Sequence, residues 1–553
     1  MVQRQFPIEL ILIALISQRI LLLVAQKCIA LEGEDYFGIY SCRGVQTLGE
    51  IEEELTASWR GIVVRNRKEE FFDLSAQSGE QLQQSSWAQL IELDLSQSGA
   101  LNLGDDGFSL FTALERLNIT NAQLEDLKPR YFPNPAKLKY FDASWNDFHK
   151  LKADNFQSLT QLKVANFSQN NIQRIETGAF AALTQLQYLN LDNNALTNAS
   201  IGACSGLKDL TLSNNDIKQL SAYDFVGLPQ LRHLKITSNS IRSIANDAFE
   251  PLRSLAVLNL AGNALHQLSA ETFRGLERVP LQYLDLSSND ISTLPAQLFA
   301  SLSKLQILNL SSNRLISLPA ELFTGLTLLR KVYVHDNDIG SIVPNTFANL
   351  TALDMLDLSG NKIQQLDALV FGSTTLPRFR KLTLKSNSLK HIHPLAFAAL
   401  PSMEYLSLGN NDLTTLDVRT FAPMHRLQKF HLGHNLLEEI SEKVLDTLND
   451  LSELLLDNNQ LSFLPNMDVA AFPKLRKISL EGNPWQCNCL DDLFDWLNAK
   501  NVDYFRRQSP YYQGQRPLCF VTDKDVCVRD LATVKEIGFP LLYESIAHSK
   551  ERE

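Results

Sequence analysis

The stretch LSKLQILNLSSNRLISLPAELFTGL, Leu302 to Leu326, places leucines at Leu305, Leu308, Leu310, Leu315 and Leu318, with one asparagine, Asn313, among them. That spacing fits neither the 3.6-residue period of an amphipathic helix nor the plain two-residue alternation of a strand. Only the middle alternates: Leu308 and Leu310 point one way, and Ile307, Asn309 and Ser311 the other, as on a short strand. Asn313 falls where the chain must turn away. Its side-chain amide both donates and accepts, so it can satisfy backbone groups that the turn leaves unpaired.

Working outward, the same pattern recurs along the chain. Asn146, Asn170, Asn194, Asn215, Asn239, Asn263, Asn289, Asn313, Asn337, Asn361, Asn387, Asn411, Asn435, Asn459 and Asn483 stand in register, mostly 24 residues apart, with one interval of 21 and two of 26. Two weaker copies, with Ser98 and Ala122 in the asparagine position, extend the array to about seventeen turns from Leu90 to Asn483. A second landmark marks the return half of each coil: Phe156, Phe180, Phe225, Phe249, Phe273, Phe299, Phe323, Phe347, Phe371, Phe397 and Phe421, with Cys204 and Leu445 in the same slot of two coils. A single coil cannot bury its own apolar face, so neighbours must stack. The pattern L-x-x-L-x-L-x-x-N-x-L resembles the leucine-rich repeat. That resemblance implies an α/β solenoid, a horseshoe with a concave parallel β-sheet and disulfide-capped ends.

The ends support an extracellular reading. Arg4 precedes a largely apolar stretch from Ile8 to Ala25, interrupted by Glu9 and Arg19, which reads as a signal peptide. The rival reading is an uncleaved signal anchor that keeps the protein at the cell surface. No later segment approaches the ~20 apolar residues of a membrane span, so no span is expected after signal removal. The expected organisation is a signal peptide over 1–25, an N-terminal cap region over 26–86, the solenoid over 87–483, a cysteine-rich cap over 484–530 and a polar tail over 531–553.

An open stack leaves apolar surface bare at both ends, so caps are required. After the last copy comes NPWQCNCLDDLFDWLNAK, with Leu490, Leu493, Phe494 and Leu497 at helical spacing. The run N-P-W-x-C-x-C, with Cys519 and Cys527 downstream, resembles the cysteine-flanked C-terminal cap of extracellular leucine-rich-repeat proteins. The resemblance implies the pairs Cys487–Cys519 and Cys489–Cys527. Zinc is the rival, but C-x-C in an oxidising compartment disfavours it. Cys28 and Cys42 can staple the N-terminal cap if cleavage falls before Cys28. Cys204 is left over, and reads as a buried free thiol with a redox role as the alternative.

Composition excludes several classes. Hydrophobic residues make up 44% and charged residues 20%, enough for a large core, and the net charge of -11 disfavours general nucleic-acid binding. There is no phosphate loop, zincin motif, nucleophile elbow or calcium loop. No enzyme, cofactor or metal is therefore expected; His391 and His393 of HIHP read as solvent-facing.

What remains is surface. Solenoids bind partners on the inner sheet, and its outward positions include Lys331, Tyr333, His335, Lys381, Lys385, Tyr405, Lys429, His431 and His434. In an acidic chain, this aromatic and basic column is the candidate ligand site, weighed against a merely solvated face. Five glycosylation acceptors occur, at Asn118, Asn166, Asn198, Asn309 and Asn349. Those at Asn118, Asn166 and Asn309 face the sheet side, and the stretch from Tyr333 to His434 carries none there.

The whole is similar to Toll-type receptor ectodomains, to chaoptin- and connectin-like insect adhesion proteins and to insect leucine-rich immune proteins. It departs from the receptors in lacking a transmembrane helix and cytoplasmic domain, and from the immune proteins in lacking a coiled coil. The resemblance implies a secreted scaffold that holds an extracellular protein ligand or receptor, in recognition or innate defence. The alternative is a cell-adhesion or matrix protein, and a homodimer is compatible with either.

Overall fold

The computed structural model describes residues 27–33, 37–55, 59–66, 71–75, 82, 84–134, 136–465, 472–504, 519–521 and 527. The expected signal peptide and polar tail lie outside them. The chain divides into two compact units, Met1–Val257 and Leu258–Glu553. Both are parallel-strand solenoids built from the same coil.

Asn313 shows why the coil closes where it does. Its Nδ2 donates to Leu310 O (3.1 Å) and Ser311 O (3.2 Å) in its own coil, and to Leu286 O (2.9 Å) in the coil before. Its Oδ1 accepts the N–H of Ile291 in that earlier coil at 3.1 Å. One buried amide thus bonds four backbone groups across two successive coils. Asn146 in the first unit and Asn361 in the second repeat the arrangement.

The residue before each of these asparagines is left-handed, with φ from 53° to 58° wherever it is not glycine. Glycine, Asn, Ser and Asp, which tolerate that region, fill most of these positions.

In the second unit, Tyr283–Asp285, Ile307–Asn309, Lys331–Tyr333, Met355–Asp357, Lys381–Thr383, Tyr405–Ser407, Lys429–His431, Glu453–Leu455 and Lys477–Ser479 pair in parallel and in register. The central residue of each strand is buried, while most flanking ones remain partly exposed. In the first unit, Glu92–Gln97, Arg116–Asn118, Tyr140–Asp142, Val164–Asn166, Tyr188–Asn190, Asp209–Thr211 and His233–Lys235 do the same.

Opposite the strands, phenylalanines pack coil on coil. Ring centroids are 5.5 Å apart for Phe323–Phe347 and 5.6 Å for Phe347–Phe371; Phe156–Phe180 stack at 5.6 Å in the first unit. Buried Cys204 fills the slot in the 21-residue coil, and its thiol is free.

At the N-terminal end, Cys28–Ala30 runs antiparallel to Ile39–Arg43, and a Cys28–Cys42 disulfide joins them. Ile39–Arg43 then pairs in parallel with Gly61–Arg65, which pairs with Glu92–Gln97. The sheet therefore begins ahead of the first leucine copy. Asn66 does the ladder's work there: Nδ2 donates to Val45 O (2.7 Å) and Ser98 O (3.1 Å), and Oδ1 accepts from Val45 N–H at 3.2 Å.

At the other end, the helix Cys487–Ala499 buries Leu490, Leu493, Phe494 and Leu497. Disulfides Cys487–Cys519 and Cys489–Cys527 tie it to the downstream segment, and Trp485 is wholly buried with its Nε1 donating to Leu480 O at 2.7 Å. Among the described residues, no helix is long and apolar enough to cross a membrane.

Candidate binding face

The outward strand positions of the second unit bring part of the basic and aromatic column into one array. Lys381 Nζ lies 4.9 Å from the centre of the Tyr405 ring on the next strand, within cation–π range. Tyr405 meets His431, one strand further on, edge to face at 5.0 Å, and its hydroxyl is 3.2 Å from His431 Nδ1. With the Tyr405 hydroxyl donating to Nδ1, the imidazole carries its proton on Nε2, facing Glu453. His431 Nε2 is 3.4 Å from Glu453 Oε1.

Glu453 is the hub. Lys429 Nζ approaches its Oε2 at 3.3 Å and Lys477 Nζ its Oε1 at 2.9 Å, from the strands on either side. Burial works to raise the Glu453 carboxyl, but the ammoniums of Lys477 and Lys429 outweigh it and hold the group below its ordinary range. Burial pushes the His431 imidazole down, against the opposing pull of Glu453. Burial also pushes the Tyr405 phenol up.

The other expected residues lie around this array. Lys331 and Tyr333 share a strand, and Met355 on the intervening strand stands in register between Lys331 and Lys381. His335, just beyond that strand, contacts Tyr333 edge to face at 6.5 Å, and its Nδ1 is 2.9 Å from Asp336 Oδ2. Lys385 is exposed past the end of its strand. His434 occupies a left-handed turn position, with Nε2 3.4 Å from Asp457 Oδ2.

The column is therefore less basic than its cations suggest. Glu453, Asp457 and Asp336 answer several of them, and Lys477 joins the network. Glu453 and Lys477 occupy the same outward strand position as Lys381 and Tyr405, so their register was the available signal.

Among the described residues, no group of three or more His, Cys, Asp or Glu could hold a metal ion. His391 is exposed, and His393 Nδ1 accepts the Leu395 N–H at 3.0 Å. Of the glycosylation acceptors, Asn198 and Asn349 are exposed, while Asn118, Asn166 and Asn309 are half-buried on strands. The Oδ1 of each strand acceptor receives the hydroxyl two residues on, from Thr120, Ser168 and Ser311.

The family described as Leucine rich repeat matches residues 146–196, 197–241, 229–280, 279–339, 303–363, 327–373, 377–437 and 425–484, more than half of the chain. No curated protein matches it in sequence. Among solved structures, it is similar to an LRR protein of Leptospira interrogans, with 24% identity, 71% of this chain and 96% of that chain covered, and a TM-score of 0.58. It is also similar to a chain of the Drosophila Toll–Spatzle complex, a hub in development and innate immunity, with 18% identity, 87% of this chain and 69% of that chain covered, and a TM-score of 0.66. At these identities the likeness is one of fold.

Proposed function

This chain belongs to the leucine-rich repeat family, and from that premise we propose that it is a secreted, non-enzymatic scaffold that holds an extracellular protein partner on the strand face of its second unit. The observation that carries the reading is the continuous array Lys381–Tyr405–His431, extended by Lys331, Tyr333 and exposed Lys385. A tyrosine under a lysine ammonium supplies rigid contact area together with steering charge, the composition of binding hot spots. Lys331 and Lys385 make no ion pair among the described residues, so an acidic partner segment suits the face. Three disulfides support an oxidising, extracellular compartment. The sheet side from Tyr333 to His434 is free of glycan acceptors, which supports access for a protein. A role in recognition or defence is the use that such a scaffold serves in this reading.

The test is affinity purification from extracellular fluid with the secreted form, against a Tyr333→Ala/Lys381→Ala double variant. The double variant is expected to retain at least tenfold less of the captured protein while unfolding at the same temperature. Equal retention would place binding elsewhere. Light scattering of the protein alone separates this reading from adhesion through self-association.

A further inference from the structure

Trp145 breaks the rule that the rest of the ladder keeps. It precedes Asn146 in a left-handed conformation, φ 56°. The fourteen other residues in that position, from Gln169 to Gly482, are Gln, Asn, Ser, Asp, His or Gly. A bulky aromatic is disfavoured there, since its Cβ crowds the following carbonyl. Nor does the ring find a place in the core: it is 59% exposed, whereas Trp59, Trp87, Trp485 and Trp496 are all buried. An aromatic held at a backbone cost with its face to solvent points to a partner, and tryptophan is the residue most enriched at interface hot spots.

An independent feature lies on the same coil. Tyr140–Asp142, the strand of the same coil, crosses a hollow of about 240 Å³ on the strand face of the first unit. The hollow holds three carboxylates, Glu92, Asp94 and Asp142, and one guanidinium, Arg116, which lies 4.1 Å over the Tyr140 ring. Asp142 is engaged by Ser144 and by Asn166 Nδ2 at 2.9 Å. Among the described residues, Asp94 accepts only the Ser96 N–H, at 2.9 Å, and Glu92 has no ion-pair partner. The hollow therefore has an unanswered negative charge, the reverse of the second unit's face.

We propose that Trp145 and this hollow, in the chain unglycosylated at the lining residues Asn118 and Asn166, form a second docking surface for a protein. A partner segment there sets a lysine or arginine side chain among Glu92, Asp94 and Asp142 and lays an adjacent apolar side chain on the Trp145 indole. Charge complementarity selects the cation, and the exposed ring selects its apolar neighbour.

The probe is a synthetic peptide of alternating lysine and leucine, with a glutamate–leucine peptide and polylysine as counterparts, added to the full chain produced without glycans. Trp145 is the one exposed tryptophan among the described residues, so its emission and acrylamide quenching report the site directly. The lysine–leucine peptide is expected to shift the emission to the blue and to protect the ring from quencher. Its affinity, read by anisotropy of labelled peptide, should fall at least tenfold in Trp145→Asn and in Glu92→Gln/Asp94→Asn. Trp145→Asn should melt at the same temperature or higher, because asparagine suits the left-handed position, which separates lost binding from lost folding. Tyr333→Ala/Lys381→Ala should leave this binding unchanged. Four results overturn the proposal: no protection by the lysine–leucine peptide, equal binding to Trp145→Asn, equal binding of polylysine or the glutamate peptide, or protection that rises with protein concentration alone, which makes the occupant a second copy.

Discussion

Glu453 Oε1 lies 2.9 Å from Lys477 Nζ, and the same carboxylate also draws in Lys429 and His431. Removing its charge leaves two ammoniums facing each other across a strand with no counter-ion. The pair is only partly buried, so the loss lies between that of exposed and buried pairs. Glu453→Gln is expected to cost roughly 1–2 kcal/mol in urea denaturation. It also makes the face more positive, so retention of a polyglutamate probe should rise, and more strongly at low salt.

The His431 imidazole titrates below its ordinary value of about 6.5. The unfolded chain therefore binds the proton more readily than the folded one. Stability is full above about pH 6.5 and falls as pH drops through the window between the unfolded and the folded value. Calorimetry at pH 7 and pH 5 should show a smaller loss for His431→Gln than for the parent. Proton NMR of the ring should give a midpoint under 6.5.

Asn313→Ala removes four hydrogen bonds at once and leaves the Ile291 N–H without an acceptor, while Leu286 O, Leu310 O and Ser311 O keep bonds from Asn289, Asn337 and Ser288. Water reaches this buried turn poorly, so a loss of at least about 2 kcal/mol is expected in chemical denaturation. Asn309→Ala, two residues from the buried Ser311 on the half-buried strand face, should cost less than half of that.

Burial pushes the Cys204 thiol up to about 12, with the backbone hydrogen bond from Leu207 opposing only in part. The folded protein at pH 8 should leave Ellman's reagent uncoloured. Guanidinium without reductant should release one equivalent per chain, because the other six cysteines are paired.

The repeat was legible because one chemical task recurs with one solution: Asn313 and its counterparts each close a turn, and the leucines around them each fill the same core site. Gly61–Arg65 was not, because Ile62 and Val64 do the leucines' work and Asn66 stands 32 residues before Ser98, out of step with the 24-residue period. The candidate face was legible as a column of positions but not as a balance of charge. Lys429 and His431 stand out by type, while the acid that answers them, Glu453, is 24 and 22 residues away and becomes their neighbour only through strand register. Trp145 was visible in the sequence too, but its meaning depends on a backbone angle that no side-chain pattern displays.

The asparagine bonds also have a direction. Asn313 caps the open N–H of Ile291, Asn337 that of Leu315 and Asn483 that of Leu461, always one coil back. A turn emerging from the ribosome thus stays incomplete until the next 24 or so residues follow it out, and the nascent edge trails synthesis by one winding.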